Sequence, residues 1–155
     1  MDAKTIAIII ALVIAAIGFY QKVQHRKEGS TVSRSRDFAA YSETFTLRHV
    51  SDDEFTAAVK ASAPHARAGE SMHGNAAKLV FEGSFGAELV RTEQTDEKSV
   101  YTFRFTNWKS RYGVPNDEEE MNLLLTAVER MFVSLDPNTK VVSQKEDITT
   151  KRSIL

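Results

Sequence analysis

SVYTFRFTN, residues 99–107, alternates without a break: Tyr101, Phe103 and Phe105 fall at every second position, with Thr102, Arg104 and Thr106 between them. Successive side chains of a strand point to opposite faces, so this segment predicts a strand with one aromatic face on a core and one polar face. The segments before it read the same way. Residues 85–93 place Phe85, Ala87 and Leu89 on one side and Glu88, Val90 and Thr92 on the other, and residues 76–82 bury Leu79 and Phe81. Between these two, Gly83-Ser84 has glycine first, which suits a type II′ hairpin turn. A turn at residues 95–98 joins the second strand to the third, making a meander.

An earlier strand, SETFTLRHV at residues 42–50, sets Phe45 and Leu47 against Thr44, Thr46 and Arg48. A helix starts directly after it. Ser51 is a good N-cap, Glu54 stands at the N3 position of a capping box, and Val50 and Phe55 are spaced for a hydrophobic staple. Phe55, Ala58, Val59 and Ser62 form its buried stripe, Pro64 is expected to end it, and residues 65–75 read as a polar loop. A second helix carries the strongest periodic signal in the chain. Asn116 with Glu119, or Asp117 with Glu120, caps it, and the acids at residues 117–120 favour the positive end of its dipole. Met121, Leu124, Leu125, Val128, Met131, Phe132 and Leu135 recur at three- and four-residue spacing before Asp136-Pro137-Asn138 stops the helix. Residues 139–148 are a further strand. The order β-α-β-β-β-α-β predicts an α+β domain over residues 37–150, an antiparallel sheet with helices on one face, and a frayed tail at residues 151–155.

The chain has 155 residues, 42% apolar and 26% charged, with no cysteine and a formal net charge of -1. That length allows one domain. The absence of cysteine excludes disulfides, thiolate catalysis and cysteine-ligated metal clusters. The apolar residues are unevenly placed. TIAIIIALVIAAIGFYQ, residues 5–21, has no charge between Lys4 and Lys22, and Ile6 to Tyr20 are all apolar, aromatic or glycine. As a helix it is about 25 Å long, the lower end of what a bilayer core needs. Lys4 and Lys22 can snorkel to the two interfaces, and Tyr20 suits the interfacial belt. Residues 1–22 therefore read as a membrane-spanning anchor. The two other readings are a core helix, which would need a polar face, and a cleaved signal peptide, which would not continue into Phe19 and Tyr20.

Residues 23–36 are polar and basic and read as a flexible stalk. Residues 1–36 hold six Lys/Arg against two Asp/Glu, and residues 37–155 hold fourteen against nineteen. The basic excess follows the span, so the positive-inside rule places the C-terminal domain in the cytoplasm of a single-pass protein in the cell membrane, the extracytoplasmic orientation being the alternative. The basic stalk is also suited to anionic lipid headgroups.

Chemistry-bearing motifs are few. His65, Glu70 and His73 share one loop and are weak candidates for a metal, with a spacing that matches no catalytic metal motif. No cofactor is expected. The segment Trp108, Lys109, Ser110, Arg111, Tyr112 joins basic and aromatic residues at a strand end; Trp108, Lys109, Arg111 and Tyr112 are the candidate binding residues, for a protein partner or a headgroup rather than nucleic acid, given the acidic domain. If Trp108 continues the strand it shares the outward face of Thr102, Arg104 and Thr106; otherwise it covers the end of the core. Phe81, Phe103, Phe105, Leu124 and Val128 are positioned to line a pocket between the sheet and the second helix. The outward sheet face holds Thr44, Thr46, Arg48, Lys78, Val80, Glu88, Val90, Val100, Thr102 and Arg104, where the three valines make a modest patch for self-association. The leading expectation is a membrane-anchored domain that binds a protein partner or itself without catalysing a reaction. The alternative is a membrane-tethered domain for a small apolar or lipid-like ligand, and an enzyme built around His65, Glu70 and His73 comes third.

Overall fold

A computed structural model of the chain describes residues 32–66 and 72–146. After a 3₁₀ turn, Phe38–Ala40, strand β1 runs over Tyr41–Arg48 and leads into helix α1, Asp52–Ala66. Strands β2 (Met72–Gly74), β3 (Lys78–Glu82), β4 (Gly86–Gln94) and β5 (Lys98–Asn107) follow. A short hairpin of β6 (Ser110–Arg111) and β7 (Val114–Pro115) precedes helix α2, Glu118–Leu135, and β8, Lys140–Lys145, closes the described chain. Six strands form one antiparallel sheet in the order β2-β3-β4-β5-β1-β8, so the first strand lies between the fifth and the last. The result is a small α+β domain, a six-stranded antiparallel sheet flanked by two helices.

The alternation read from the sequence becomes the core. Phe45, Leu47, Leu79, Phe81, Ala87, Leu89, Tyr101, Phe103 and Phe105 are all buried, and they cluster with Phe55 and Val59 of α1 and with Met121, Leu124, Leu125, Val128, Met131 and Phe132 of α2. Aromatic rings carry much of this contact. Phe45 stacks on Phe132 at 4.5 Å, and Phe103 meets Phe105 edge-on at 5.1 Å. Each such pair is worth about 0.5–1.5 kcal/mol beyond the area it buries. The capping box of α1 is made in both directions: the Glu54 amide donates to Ser51 Oγ at 3.2 Å, and the Ser51 amide donates to Glu54 Oε2 at 3.0 Å.

Several local expectations are corrected. Helix α1 runs through Pro64 to Ala66. Proline removes only the bond to the Lys60 carbonyl, and Lys60 is exposed, so water can take the donor's place. Within the stretch read as a loop at residues 65–75, Met72–Gly74 pairs with β3 as an extra strand. Its turn is organised by Asn75, whose Oδ1 accepts from the amides of Ala77 and Lys78, and by Gly74 at φ +128, where a Cβ would fall 2.1 Å from the Lys78 carbonyl oxygen. No type II′ turn forms at Gly83-Ser84. Glu82 pairs with Gly86, leaving a three-residue loop, and Gly83 has no positive φ. The N-cap of α2 is Asp117 without a side-chain capping bond, so dipole compensation by Glu118, Glu119 and Glu120 is the contribution of the acids there. The last strand is shorter than residues 139–148, and all six of its residues are exposed because only β1 covers it.

Candidate functional site

Strand β5 ends at Asn107, and the basic-aromatic segment divides there. Trp108 is half-buried and packs against the core rather than continuing the polar face. The chain then leaves the sheet and returns. The amide of Asn116 donates to the Lys109 carbonyl at 2.8 Å, closing an excursion whose arms are β6 and β7. Arg111 pairs with Val114, so Tyr112 and Gly113 are the two central residues of the turn, at φ +51 and +78. Two successive positive φ values are the signature of a type I′ turn. Tyr112 is 94% exposed at this tip, with the Arg111 guanidinium 5.7 Å from its ring centroid. Lys109 and Arg111 are exposed beside it. Of the four candidate binding residues, three are presented together and Trp108 holds their base.

The pocket expected between sheet and helix is an apolar crevice of about 20 Å³, lined by residues including Val59, Met72, Leu124 and Met131. Phe81, Leu124 and Val128 line it; Phe103 and Phe105 do not, because their rings pack against each other and against Phe81, Phe38 and Phe85. That volume is about the room one water needs, far below a ligand pocket. His65 falls in the last turn of α1, His73 is on β2 opposite Val80, and Glu70 lies outside the described residues. Among the described residues no group of three His, Cys, Asp or Glu is placed to hold a metal ion.

A polar cluster that the sequence reading did not single out sits at the margin of the core. Arg34, read as part of the stalk, is seated on the domain with only 11% of its side chain exposed. Its Nε donates to Asn122 Oδ1 at 2.8 Å, and its guanidinium pairs with Glu129 at 2.5 Å and with Glu43 at 3.5 Å. Thr126 bridges the α2 side by donating to Asn122. Glu43 shares the sheet face of Phe45 and Leu47, and its side chain is 9% exposed. Its Oε2 is buried with no hydrogen-bond partner. Burial, and then repulsion from Glu129, push its carboxyl up to about 7 against the pull of Arg34. The signal for this cluster is Glu43 itself, an acid in phase with two apolar residues.

The opposite sheet face is studded with β-branched residues, Val80, Val90, Val100, Thr44 and Thr102 being half-buried by their neighbours. Thr44 and Thr102 hydroxyls meet at 3.2 Å across β1 and β5. Glu88, expected on the outward face, is buried between Lys78 at 2.9 Å and Arg104 at 2.5 Å. Burial raises its pKa, but the hydrogen bonds from those two cations win and hold it below the usual carboxylate value. No helix among the described residues is long and apolar enough to cross a membrane, and the run at residues 5–21 lies outside them. No protein-family model matches the chain, and neither a curated protein nor a solved structure matches it.

Proposed function

We propose that the protein is a single-pass membrane protein, anchored through residues 5–21, whose α+β domain faces the cytoplasm and docks a partner protein through the hairpin that carries Lys109 at its base and Arg111 and Tyr112 at its tip. The observation that carries the docking reading is Tyr112. A type I′ turn favours asparagine or glycine, and a bulky residue at positive φ is disfavoured. Here a tyrosine occupies that position and is 94% exposed, so its side chain does nothing for the core. An exposed aromatic flanked by arginine is the composition of an interface anchor. The anchor reading rests on the uncharged run between Lys4 and Lys22, and the orientation on Lys22, Arg26 and Lys27, which follow that run immediately. A further role for the same basic residues at anionic headgroups accords with their charge.

Two measurements test it. Single cysteines at Ser30 and Ser110, in a chain with no other cysteine, are probed on intact cells with a membrane-impermeant thiol reagent. Labelling of Ser110→Cys only after permeabilisation, with the protein retained in membranes, supports the cytoplasmic orientation; labelling on intact cells overturns it. A photo-crosslinking amino acid at position 112 is expected to yield a discrete adduct in cells that Arg111→Glu abolishes. An adduct equally abundant from exposed Val133 overturns the assignment of the tip.

A further inference from the structure

We propose that Arg34 is a latch that fastens residues 33–36, through which the chain enters the domain, and that the protonation state of Glu43 sets how tightly it holds. The geometry has three parts. Arg34 lies between two carboxylates, at 3.5 Å from Glu43 and 2.5 Å from Glu129, with Asn122 accepting from its Nε. Glu43 lies on the core face of β1 with its side chain 9% exposed; its strand partners are Phe103 on β5 and Ser143 on β8, neither of which carries a charge. One carboxylate oxygen of Glu43, Oε2, is buried and lacks a partner. A buried carboxylate left half-satisfied is costly, and taking up a proton relieves that cost.

The charged groups that act on Glu43 are Arg34 from the entering segment and Glu129 from α2. When Glu43 is protonated, its hydroxyl donates to the Glu129 carboxylate, and Arg34 faces a single negative charge. When the proton leaves, two like charges share a poorly hydrated site and only the guanidinium offsets them. Arg34 is therefore held more tightly in the deprotonated state. By linkage, a docked Arg34 must in turn favour loss of the Glu43 proton. Burial pushes the Glu43 carboxyl up to about 7, which places this exchange near neutral pH. Other docking contacts of the segment, such as the pairing of Asp37 with Lys145 at 3.3 Å, are exposed and do not involve this site.

The test uses the full-length chain in detergent micelles with a nitroxide on Ser33→Cys, the residue beside Arg34. The ratio of mobile to immobile spectral components is expected to fall by at least about fivefold between about pH 5.5 and about pH 8.5, with Glu43→Gln removing the dependence. Arg34→Gln is expected to leave the label mobile at both values. Near-ultraviolet circular dichroism reports whether each variant is folded; should Arg34→Gln lose its tertiary signal, Arg34→Lys, which keeps the charge without the fork, is expected to give intermediate mobility. A pH-independent ratio in the chain with native Arg34 and Glu43, or an unchanged titration in Glu43→Gln, overturns the latch.

Discussion

The rings of Phe55 and Tyr101 stack 4.8 Å apart with planes within 4° of parallel, joining the first turn of α1 to the middle of β5. Both are fully buried, and both contact Phe132 of α2. Removing the Phe55 ring opens a void that three elements border, so Phe55→Ala is expected to cost about 3–5 kcal/mol in denaturant unfolding. Tyr101→Phe behaves differently. The Tyr101 hydroxyl is buried under the pull of the Arg91 guanidinium, so deleting it is expected to cost at most about 1 kcal/mol, far less than loss of the Phe55 ring.

The reciprocal capping of α1 gives a smaller and sharper prediction. Ser51→Ala removes the acceptor for the Glu54 amide and is expected to lower stability by about 1 kcal/mol. The loss should appear as a shifted denaturation midpoint with an unchanged denaturant slope.

Glu43 makes stability depend on pH in a direction opposite to the usual acid unfolding. Its folded value lies near 7 against an ordinary 4.5, so between those values the folded state holds a proton the unfolded chain has lost. Stability contributed this way is full below about 4.5, declines as pH rises through the window, and is gone above about 7. Thermal melts are expected to show a midpoint that falls between pH 5 and pH 7.5, about, and that flattens in Glu43→Gln. Asp136 works the other way. Hydrogen bonds from the amides of Arg48 and Asn138 hold its carboxyl below the usual value, so its contribution is lost only as pH drops into the acid range.

Tyr112 separates folding from docking. Replacing it with asparagine, which tolerates positive φ, is expected to raise stability by about 0.5–1 kcal/mol while removing the position-112 contribution to partner binding. A variant that melts higher and loses cross-linking through the neighbouring Arg111 fits the proposed role. A variant that melts higher and retains full cross-linking sinks it.

Gly86 is a position where a side chain enters only if two exposed neighbours, Thr106 and Asn107, turn aside. An added Cβ would stand 2.3 Å from Asn107 Nδ2 and 2.6 Å from Thr106 Oγ1, at the start of the β4–β5 ladder. Gly86→Ala is expected to destabilise by no more than about 1 kcal/mol, readable as a slightly lower unfolding midpoint.

How far these features could be read from the sequence follows from their range along the chain. Tyr101, Phe103 and Phe105 state their face within five residues, and Ser51 with Glu54 states a helix start within four, so both were legible. Met72–Gly74 is too short for any period to show, and its hairpin is visible only in the turn chemistry of Gly74 and Asn75. The place of β1 between β5 and β8 has no local signature, since pairing partners so far away leave no mark on the strand itself. Glu43 was in phase with Phe45 and Leu47, yet the groups that act on it, Arg34 and Glu129, come from opposite ends of the domain. Tyr112 shows half of the type I′ signature in Gly113 and contradicts the other half, and that contradiction is where the proposed function resides.

The position of β1 also has a consequence in time. It is the first strand to leave the ribosome, yet Arg48 pairs with Lys98 and Tyr41 with Lys145, so neither of its neighbours exists until most or all of the domain has been made. The β3–β4–β5 meander can pair as it emerges, whereas Phe45 and Leu47 must wait for contacts of high sequence separation, the kind that slow folding. During synthesis β1 is an apolar strand with two open edges, and β8, though the most exposed strand of the finished sheet, is the piece whose arrival closes it.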